Sequence, residues 1–223
     1  MHNPFKKLSK FEFGLWLGSM IVVILCYILS PQRDLFSTIG SLIGVTALIF
    51  TAKGDIWGQI LIIIFAVFYG VVSFSRQYYG EMITYLGMSA PMAIVALIAW
   101  IRHPSKANKS EVEVKKLTVK NIIFTLIFAI AVTVVFYFIL SALGTAEILL
   151  STLSVTTSIL AATMTYLRSP FYALGYAAND VVLIGLWILA ENPAMIICFI
   201  VFLINDLYGF YNWQRMKKRQ SEA

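Results

Sequence analysis

Charged residues are scarce in this sequence. Asp, Glu, Lys and Arg make up 13% of its 223 residues, whereas 60% are hydrophobic; a soluble domain has about 25% charged and about 45–50% apolar residues. So few charges cannot cover the surface of a soluble domain, and the high hydrophobicity excludes intrinsic disorder. The chain has room for about seven to nine spans of about 20 residues each. The composition therefore predicts an integral membrane protein without a separate soluble domain.

Residues and motifs that many enzymes and metal proteins need are also rare. The two histidines, His2 and His103, lie in polar segments, and the pattern G-x-x-x-x-G-K-[ST] of ATP-binding loops does not occur. Cys26 and Cys198 both lie in apolar runs, so we interpret them as small hydrophobic residues rather than disulfide or metal ligands. We therefore expect no enzymatic activity, no cofactor and no metal site.

Eight apolar segments remain between short polar or helix-breaking stretches. They lie at about 12–30, 35–52, 56–75, 80–101, 121–143, 147–167, 171–190 and 194–213. Each is expected to be a helix, because an isolated span in lipid must satisfy its own backbone hydrogen bonds. The first segment follows a basic start, as in a signal peptide, but it lacks an A-x-A cleavage site and is expected to be a true helix.

The basic residues are distributed unequally between the two sides of the predicted spans. All but two of the 17 Lys and Arg residues fall on one side, and the other side has only Arg33 and Arg76. Basic loops stay in the cytoplasm of polytopic proteins, so this distribution predicts eight spans with both termini in the cytoplasm. Because the net charge of +6 is explained by orientation, it does not indicate a nucleic-acid partner.

The two halves of the sequence resemble each other. Trp100-Ile-Arg102 aligns with Trp213-Gln-Arg215, and the same spacing aligns Glu81-Met-Ile83 with Ala194-Met-Ile196. We expect an all-α integral membrane fold of eight transmembrane helices. Two parallel three-helix repeats, helices 2–4 and 6–8, are joined by linker helix 5 and preceded by an extra N-terminal helix. The expected segments are 1–34 (N-terminal segment and helix 1), 35–101 (first bundle), 102–145 (cytoplasmic loop and linker helix), 146–214 (second bundle) and 215–223 (basic cytoplasmic tail).

Two aspartates lie in the middle of predicted spans. Asp180 directly follows Asn179, and Asp206 directly follows Asn205. An ionisable group at this depth costs about 2.5–3.5 kcal/mol or more, and it usually faces a cavity or a partner. Asparagine offers donors and an acceptor for a nucleobase amide or for sugar hydroxyls. The alternative is that these side chains only bond across helices and fix their packing, at about 0.6 kcal/mol for each bond.

Aromatic residues recur on the predicted helix faces that carry polar residues, because spacings of three, four and seven residues return to one face. Tyr208 and Trp187 do so in the second half, and Tyr69, Tyr85 and Gln59 lie on such stripes in the first half. Flat aromatic faces and a few amides can hold a planar heteroaromatic ring. The alternative is an aromatic belt at the membrane interface, which fits the tryptophans near helix ends, namely Trp16, Trp57, Trp100 and Trp213.

Several motifs together resemble the PnuC family of vitamin transporters. They are Tyr79-Gly-Glu-Met82 with Tyr69 before it and Trp100 after it, Leu174-Gly-Tyr-Ala-Ala-Asn-Asp-Val-Val182, and Asn205-x-x-Tyr208-Gly209 followed by Trp213. The resemblance implies a SWEET-like fold and uptake of nicotinamide riboside across the bacterial inner membrane by facilitated diffusion. It also implies alternating access, a cytoplasmic kinase that traps the substrate by phosphorylation, and a homotrimer.

The sequence departs from the family pattern in helix seven. Many members have W-x-x-W-x-x-x-N there, but this chain has Tyr172 and Gly175 at the tryptophan positions and keeps only Asn179 and one aromatic residue, Tyr172. The glutamine that often follows the proline of helix four is replaced near Met92 and Ala93. These positions select the substrate, so thiamine, riboflavin and deoxynucleosides remain alternatives to nicotinamide riboside within the family.

The expected site combines amide, aromatic and acidic side chains. Asn179 and Asn205 would bind ribose or carboxamide, and Asp180 and Asp206 would attract the cationic pyridinium ring of nicotinamide riboside. The expected substrate-binding residues are Asn179, Asn205, Tyr69, Tyr176, Trp187, Tyr208, Asp180, Asp206, Gln59 and Tyr85. The alternatives from other functional classes are a non-transporting sensor or structural membrane protein, and a channel.

Overall fold

The computed structural model describes residues 4–30, 33–75, 77 and 79–222. In these residues, eight helices are long and apolar enough to cross a membrane, which confirms the expected all-α membrane fold. They are α1 (Lys10–Leu29), α2 (Leu35–Ala52), α3 (Ile56–Ser75), α4 (Tyr79–Arg102), α5 (Val119–Ala142), α6 (Ile148–Tyr166), α7 (Tyr172–Leu189) and α8 (Pro193–Ser221). His2 and Arg76, which entered the sequence argument, lie outside the described residues.

Polar side chains set the starts of several helices. Ser9 and Glu12 form a reciprocal capping box at the start of α1, in which each side chain satisfies a backbone N–H of the other residue. Asp34, Thr118 and Asn192 accept hydrogen bonds from backbone N–H groups in the first turns of α2, α5 and α8. These caps supply acceptors for N–H groups that have no partner within the helix.

The last helix is longer than the hydropathy predicts. The sequence places the end of the span near Trp213 and expects a basic tail after it, whereas α8 continues to Ser221. The extension is held by the loop that connects α4 to α5. Gln220 accepts a hydrogen bond from the backbone N–H of Val114 at 2.8 Å and donates one to the carbonyl of Val112 at 3.0 Å.

Helix α4 contains a π-helical turn at Tyr85–Ser89, directly before Ala90 and Pro91. The sequence predicts a kink at Pro91, because proline lacks an N–H and its ring collides with the preceding turn. The helix accommodates the proline by widening the turn before it, so that the N–H of Ala90 bonds to the carbonyl of Tyr85. Turns of this kind redirect side chains and are frequent at functional sites.

Six helices form a closed ring around a central space. Helices α2, α3 and α4 form one bundle, and α6, α7 and α8 form the other; contacts of α4 with α6 and of α8 with α2 close the ring. Outside the ring, α5 packs over the seam between α4 and α6, and α1 packs over the seam between α8 and α2. The sequence interprets helix 1 as an addition and helix 5 as a joint, but the two occupy equivalent positions in the structure.

Two glycines allow the first two helices of each bundle to approach closely. A Cβ atom at Gly58 would collide with the backbone of Thr51, so α3 lies directly against α2. A Cβ atom at Gly175 would lie 2.8 Å from the Cβ of Ala161, so α7 lies directly against α6. Small residues permit such close packing of membrane helices, and the same solution occurs in both bundles.

Candidate functional site

A cavity of about 570 Å³ lies inside the ring of six helices. Its volume is in the range of small-molecule sites, which is about 300–1,000 Å³. Most of the basic loops lie at one end of the ring, which we call the basic end, and the other is called the opposite end. The cavity extends to the opposite end, where Asp34, Glu81, Thr145 and Asn192 contribute to its wall, and it ends near Asp206 on the way to the basic end.

Eight of the ten expected site residues line this cavity, namely Gln59, Tyr69, Tyr85, Tyr176, Asn179, Asp180, Trp187 and Asp206. The other two, Asn205 and Tyr208, face α1 instead. Asn205 donates hydrogen bonds to the hydroxyl of Ser19 at 3.0 Å and to the carbonyl of Val201 at 2.8 Å. The hydroxyl of Tyr208 donates to the carboxylate of Glu12 at 3.0 Å. Asn179 and Asp180 thus both face the cavity, whereas in the second pair only Asp206 faces it and Asn205 contacts α1.

The aspartates form a pair on the cavity wall. Asp180 of α7 is 5% exposed and Asp206 of α8 is 4% exposed, and their carboxyl groups interact with each other. The Oδ2 atom of Asp180 has no hydrogen-bond partner, and none of the ion pairs between described residues includes either aspartate. Two buried carboxyl groups at close range do not both ionise unless a positive charge lies beside them, so this part of the wall is suited to a cation.

Amide groups lie on the cavity wall in both bundles. Asn179 of α7 is buried, and its Oδ1 atom lies 2.9 Å from the hydroxyl of Ser154 and 3.0 Å from that of Thr157. Gln59 of α3 is buried as well, and its Nε2 atom has no hydrogen-bond partner. A buried amide without a partner is unfavourable unless a ligand or water satisfies it. Both amides are therefore candidates for contacts with a polar ligand.

Aromatic rings cover the first bundle's side of the cavity. The ring centroids of Phe65 and Tyr69 are 4.9 Å apart, and those of Tyr69 and Tyr85 are 5.3 Å apart. The hydroxyl of Tyr69 donates to the carbonyl of Ser37 at 2.9 Å, which fixes the ring against α2. Rings in this arrangement present faces and edges that favour a flat aromatic ligand.

The basic end of the ring is closed by a buried hydrophobic cluster. Trp100 and Trp213 are 1% and 0% exposed, and they pack with Tyr172, Met216 and Val112 of the loop between α4 and α5. From the sequence, both tryptophans fit an aromatic belt at the membrane interface. In the structure, both indoles instead lie inside the ring of helices. Their N–H groups donate to backbone carbonyls of neighbouring helices. In a lipid-facing belt, they would instead donate to water or to lipid headgroups.

Sequence reasoning did not single out Glu12, although it is one of the most connected polar residues of the protein. Its carboxylate is buried near the start of α1 and binds Lys53, Tyr208 and Ser9. The signal for its local role was the pattern Ser9-x-x-Glu12, which is typical of a capping box. Its contacts with Lys53 and Tyr208 depend on tertiary packing and have no signal in the local sequence.

A ring of membrane-spanning helices around a cavity that carries buried polar groups and is closed at one end is typical of a membrane transporter for small molecules. The family model described as nicotinamide mononucleotide transporter matches residues 34–215, and the chain belongs to this family. The chain is 29% identical over 206 residues to the nicotinamide riboside transporter PnuC of Haemophilus influenzae, covering 92% of this chain and 90% of the relative. It is 28% identical over 217 residues to PnuC of Neisseria mucosa, covering 93% and 81%.

The fold matches a solved structure described as the crystal structure of the vitamin B3 transporter PnuC. The TM-score is 0.80 at 25% sequence identity, and the match covers 96% of this chain and 94% of that chain. The resemblance to the PnuC family that the sequence motifs indicate is thus confirmed. These relatives are transporters and not enzymes, in agreement with the function class expected from the sequence.

Proposed function

We propose that this protein takes up nicotinamide riboside through the bacterial inner membrane. The observation that carries the proposal is the buried acidic pair Asp180 and Asp206 on the wall of the cavity, which lacks a basic partner among the described residues. Nicotinamide riboside carries a permanent positive charge on its pyridinium ring, which would compensate this pair. The names of the two relatives support the same substrate.

The other cavity residues suit the remaining groups of this substrate. The amides of Asn179 and Gln59 match the hydrogen-bonding groups of the carboxamide and the ribose. On the cavity wall, four aromatic side chains provide faces for the ring, namely Tyr69, Tyr85, Tyr176 and Trp187. Asn205 and Tyr208 belong to the contact with α1, so we assign them to the packing of α8 rather than to the substrate.

The shape of the cavity supports alternating access. By the positive-inside rule the basic end lies in the cytoplasm, so the cavity extends to the outer side and is closed on the inner side. Substrate enters from outside in this conformation and leaves when the closed end opens. The sequence contains no ATP-binding loop, which is compatible with facilitated diffusion, and in this proposal a cytoplasmic kinase traps the substrate by adding a charged phosphate. We also propose a homotrimer, which light scattering of the detergent-solubilised protein tests.

Thermal unfolding of the purified protein with four candidate ligands tests the substrate. Binding at 100 times Kd adds about 2.7 kcal/mol to the stability of the folded state, so nicotinamide riboside should raise the Tm clearly. Thiamine, riboflavin and thymidine should not. A shift with one of these three compounds alone would assign a different substrate. Saturable uptake into liposomes separates a carrier from a channel, and the absence of any shift or uptake would contradict the transporter proposal.

A further inference from the structure

We propose that Trp100, Trp213 and the loop between α4 and α5 form the inner gate of the transporter, which opens as one unit to release substrate. This inference rests on the proposed function, since it concerns the step by which substrate leaves the cavity. It is carried by hydrogen bonds that link the two bundles at the basic end. We call these two tryptophans and the loop segment around Val112 the inner seal.

The two tryptophans make reciprocal hydrogen bonds across the ring. The indole N–H of Trp100 in α4 donates to the carbonyl of Thr165 in α6 at 3.0 Å. The indole N–H of Trp213 in α8 donates to the carbonyl of Thr51 in α2 at 2.9 Å. The last helix of each bundle thus binds the first helix of the other bundle, and the two rings meet with centroids 5.5 Å apart.

The two indole bonds are not the only link between the bundles at the basic end. A third side-chain hydrogen bond, from Asn212 of α8 to the carbonyl of Ala52 in α2 at 2.8 Å, lies at the same end. The bundles are therefore tied together at the end where the cavity is closed.

The loop between α4 and α5 adds a second layer to the inner seal. The backbone N–H of Val112 donates to the carbonyl of Gly54 at 2.9 Å, and that of Lys115 donates to the carbonyl of Arg168 at 3.0 Å. Gly54 and Arg168 both have a left-handed backbone, with φ of 65° and 58°, in the turns after the first helix of each bundle. The loop therefore binds equivalent turns of both bundles, and Val112 packs on the two tryptophans.

Opening the basic end must break these bonds, because each of them joins parts that have to separate. The carbonyls of Thr51 and Thr165 are buried together with their indole partners in the closed state, whereas water can reach them once the bundles part. Replacing a tryptophan by phenylalanine keeps most of the ring and removes only the N–H donor. Each carbonyl keeps a backbone donor, Gly54 for Thr51 and Arg168 for Thr165, but the closed state alone loses one buried hydrogen bond, so the equilibrium shifts towards the open state.

Spin-label distances across the basic end test this inference. Arg102 and Arg215 are exposed, equivalent positions of α4 and α8 at the basic end, and cysteines there carry the labels after Cys26 and Cys198 are changed to alanine. Trp100→Phe and Trp213→Phe should each raise the ratio of open to closed distances about tenfold, which corresponds to about 1.4 kcal/mol. The ligand-free protein is used, so failure of the substrate proposal does not affect the result.

Trp16→Phe is the matched control. Its indole N–H bonds to the hydroxyl of Thr46 at 3.1 Å, between α1 and α2, so it loses one hydrogen bond without a link between the bundles. The inference is overturned if the seal variants leave the distances unchanged or if the control shifts them equally. Hydrogen exchange of the wild-type protein needs no variant: the amides of Val112 and Lys115 should be protected and should exchange together. Exchange at the rate of an unstructured loop would also overturn the inference.

Discussion

Replacing Lys53 by methionine tests the buried ion pair that holds α1 against the ring. The Glu12 carboxylate, 5% exposed, accepts hydrogen bonds from the Lys53 ammonium at 2.9 and 3.0 Å. The hydroxyl of Tyr208 and the backbone N–H of Ser9 donate to the same carboxylate, at 3.0 and 2.6 Å. One carboxylate thus connects α1 with the end of α2 and with α8, next to the inner seal.

The groups that remain around Glu12 set the size of the effect. Removing one partner of a buried ion pair costs about 3–5 kcal/mol, because a buried charge is left uncompensated. Two donors remain at the carboxylate, and the side chain of Lys53 is 17% exposed, so we expect a smaller loss in the free energy of unfolding, about 2–3 kcal/mol. In a Glu12→Gln background, no buried carboxylate charge is left uncompensated. Lys53→Met should there lower the free energy of unfolding by less than about 1 kcal/mol.

Reversible unfolding in mixed micelles measures these four proteins as a double-mutant cycle. The reasoning predicts a coupling energy of at least about 1 kcal/mol between Lys53 and Glu12, in the sense that the charged partners stabilise each other. Lys7 is half-buried in the turn before α1. Lys7→Met therefore controls for the loss of a positive charge near the start of α1. Equal losses for Lys53→Met in both backgrounds would refute the argument, because the carboxylate would then not depend on Lys53.

Three further outcomes follow from the cavity and the helix packing. Asp180→Asn should weaken the binding of cationic nicotinamide riboside more than that of any neutral ligand found to bind the cavity, as measured by titration calorimetry, and equal weakening would remove the charge argument. Asn179→Ala should lower the affinity for substrate at least about tenfold, since a buried amide contact is lost; unchanged affinity with a lower Tm would assign Asn179 to packing. Gly175→Ala should lower the free energy of unfolding by about 1–3 kcal/mol through overpacking against Ala161. Gly185→Ala on the same helix, where a Cβ meets no atom within 4 Å, should not destabilise the protein. Similar Tm values for the two variants would contradict the close packing.

The number and nature of the helices could be predicted from the sequence because the bilayer leaves few choices. Each apolar segment must be a helix, and the near absence of Lys and Arg from alternate loops fixes the count. The repeat was visible at Trp100 and Trp213 because both lie where the apolar part of the last helix of a bundle ends. Local periodicity also placed Asn179 and Asp180 on a polar face, and that face lines the cavity.

The partners of polar residues on α8 could not be predicted in the same way. Asn205 and Asp206 are adjacent, so they point in directions about 100° apart on a helix, and the sequence does not say which direction faces the cavity. The packing of α1 on α8 decides it, since Asn205 bonds to Ser19 while Asp206 lines the cavity. Similarly, a tryptophan near a helix end suits either an interfacial belt or a contact between helices, and only tertiary structure distinguishes them.

The positions where this chain departs from the family pattern explain how its cavity differs from one lined by tryptophans. Tyr172 does not line the cavity; its ring packs on Trp213 with centroids 4.8 Å apart and is part of the cluster at the closed end. Gly175 lies so close to Ala161 that even a Cβ atom would be in contact at 2.8 Å, and an indole has no room there without separating α6 from α7.

Neither position therefore offers an aromatic face to a substrate in this conformation. The rings that do line the cavity include Tyr69 and Tyr85 of the first bundle and Tyr176 and Trp187 of α7. If these rings contact substrate as proposed, the tyrosines of the first bundle should contribute to substrate selection together with α7 and the acidic pair. Variants of Tyr69 and Tyr85 should accordingly change the preference among aromatic substrates, whereas Tyr172→Phe, with its ring kept in the inner cluster, should leave that preference unchanged.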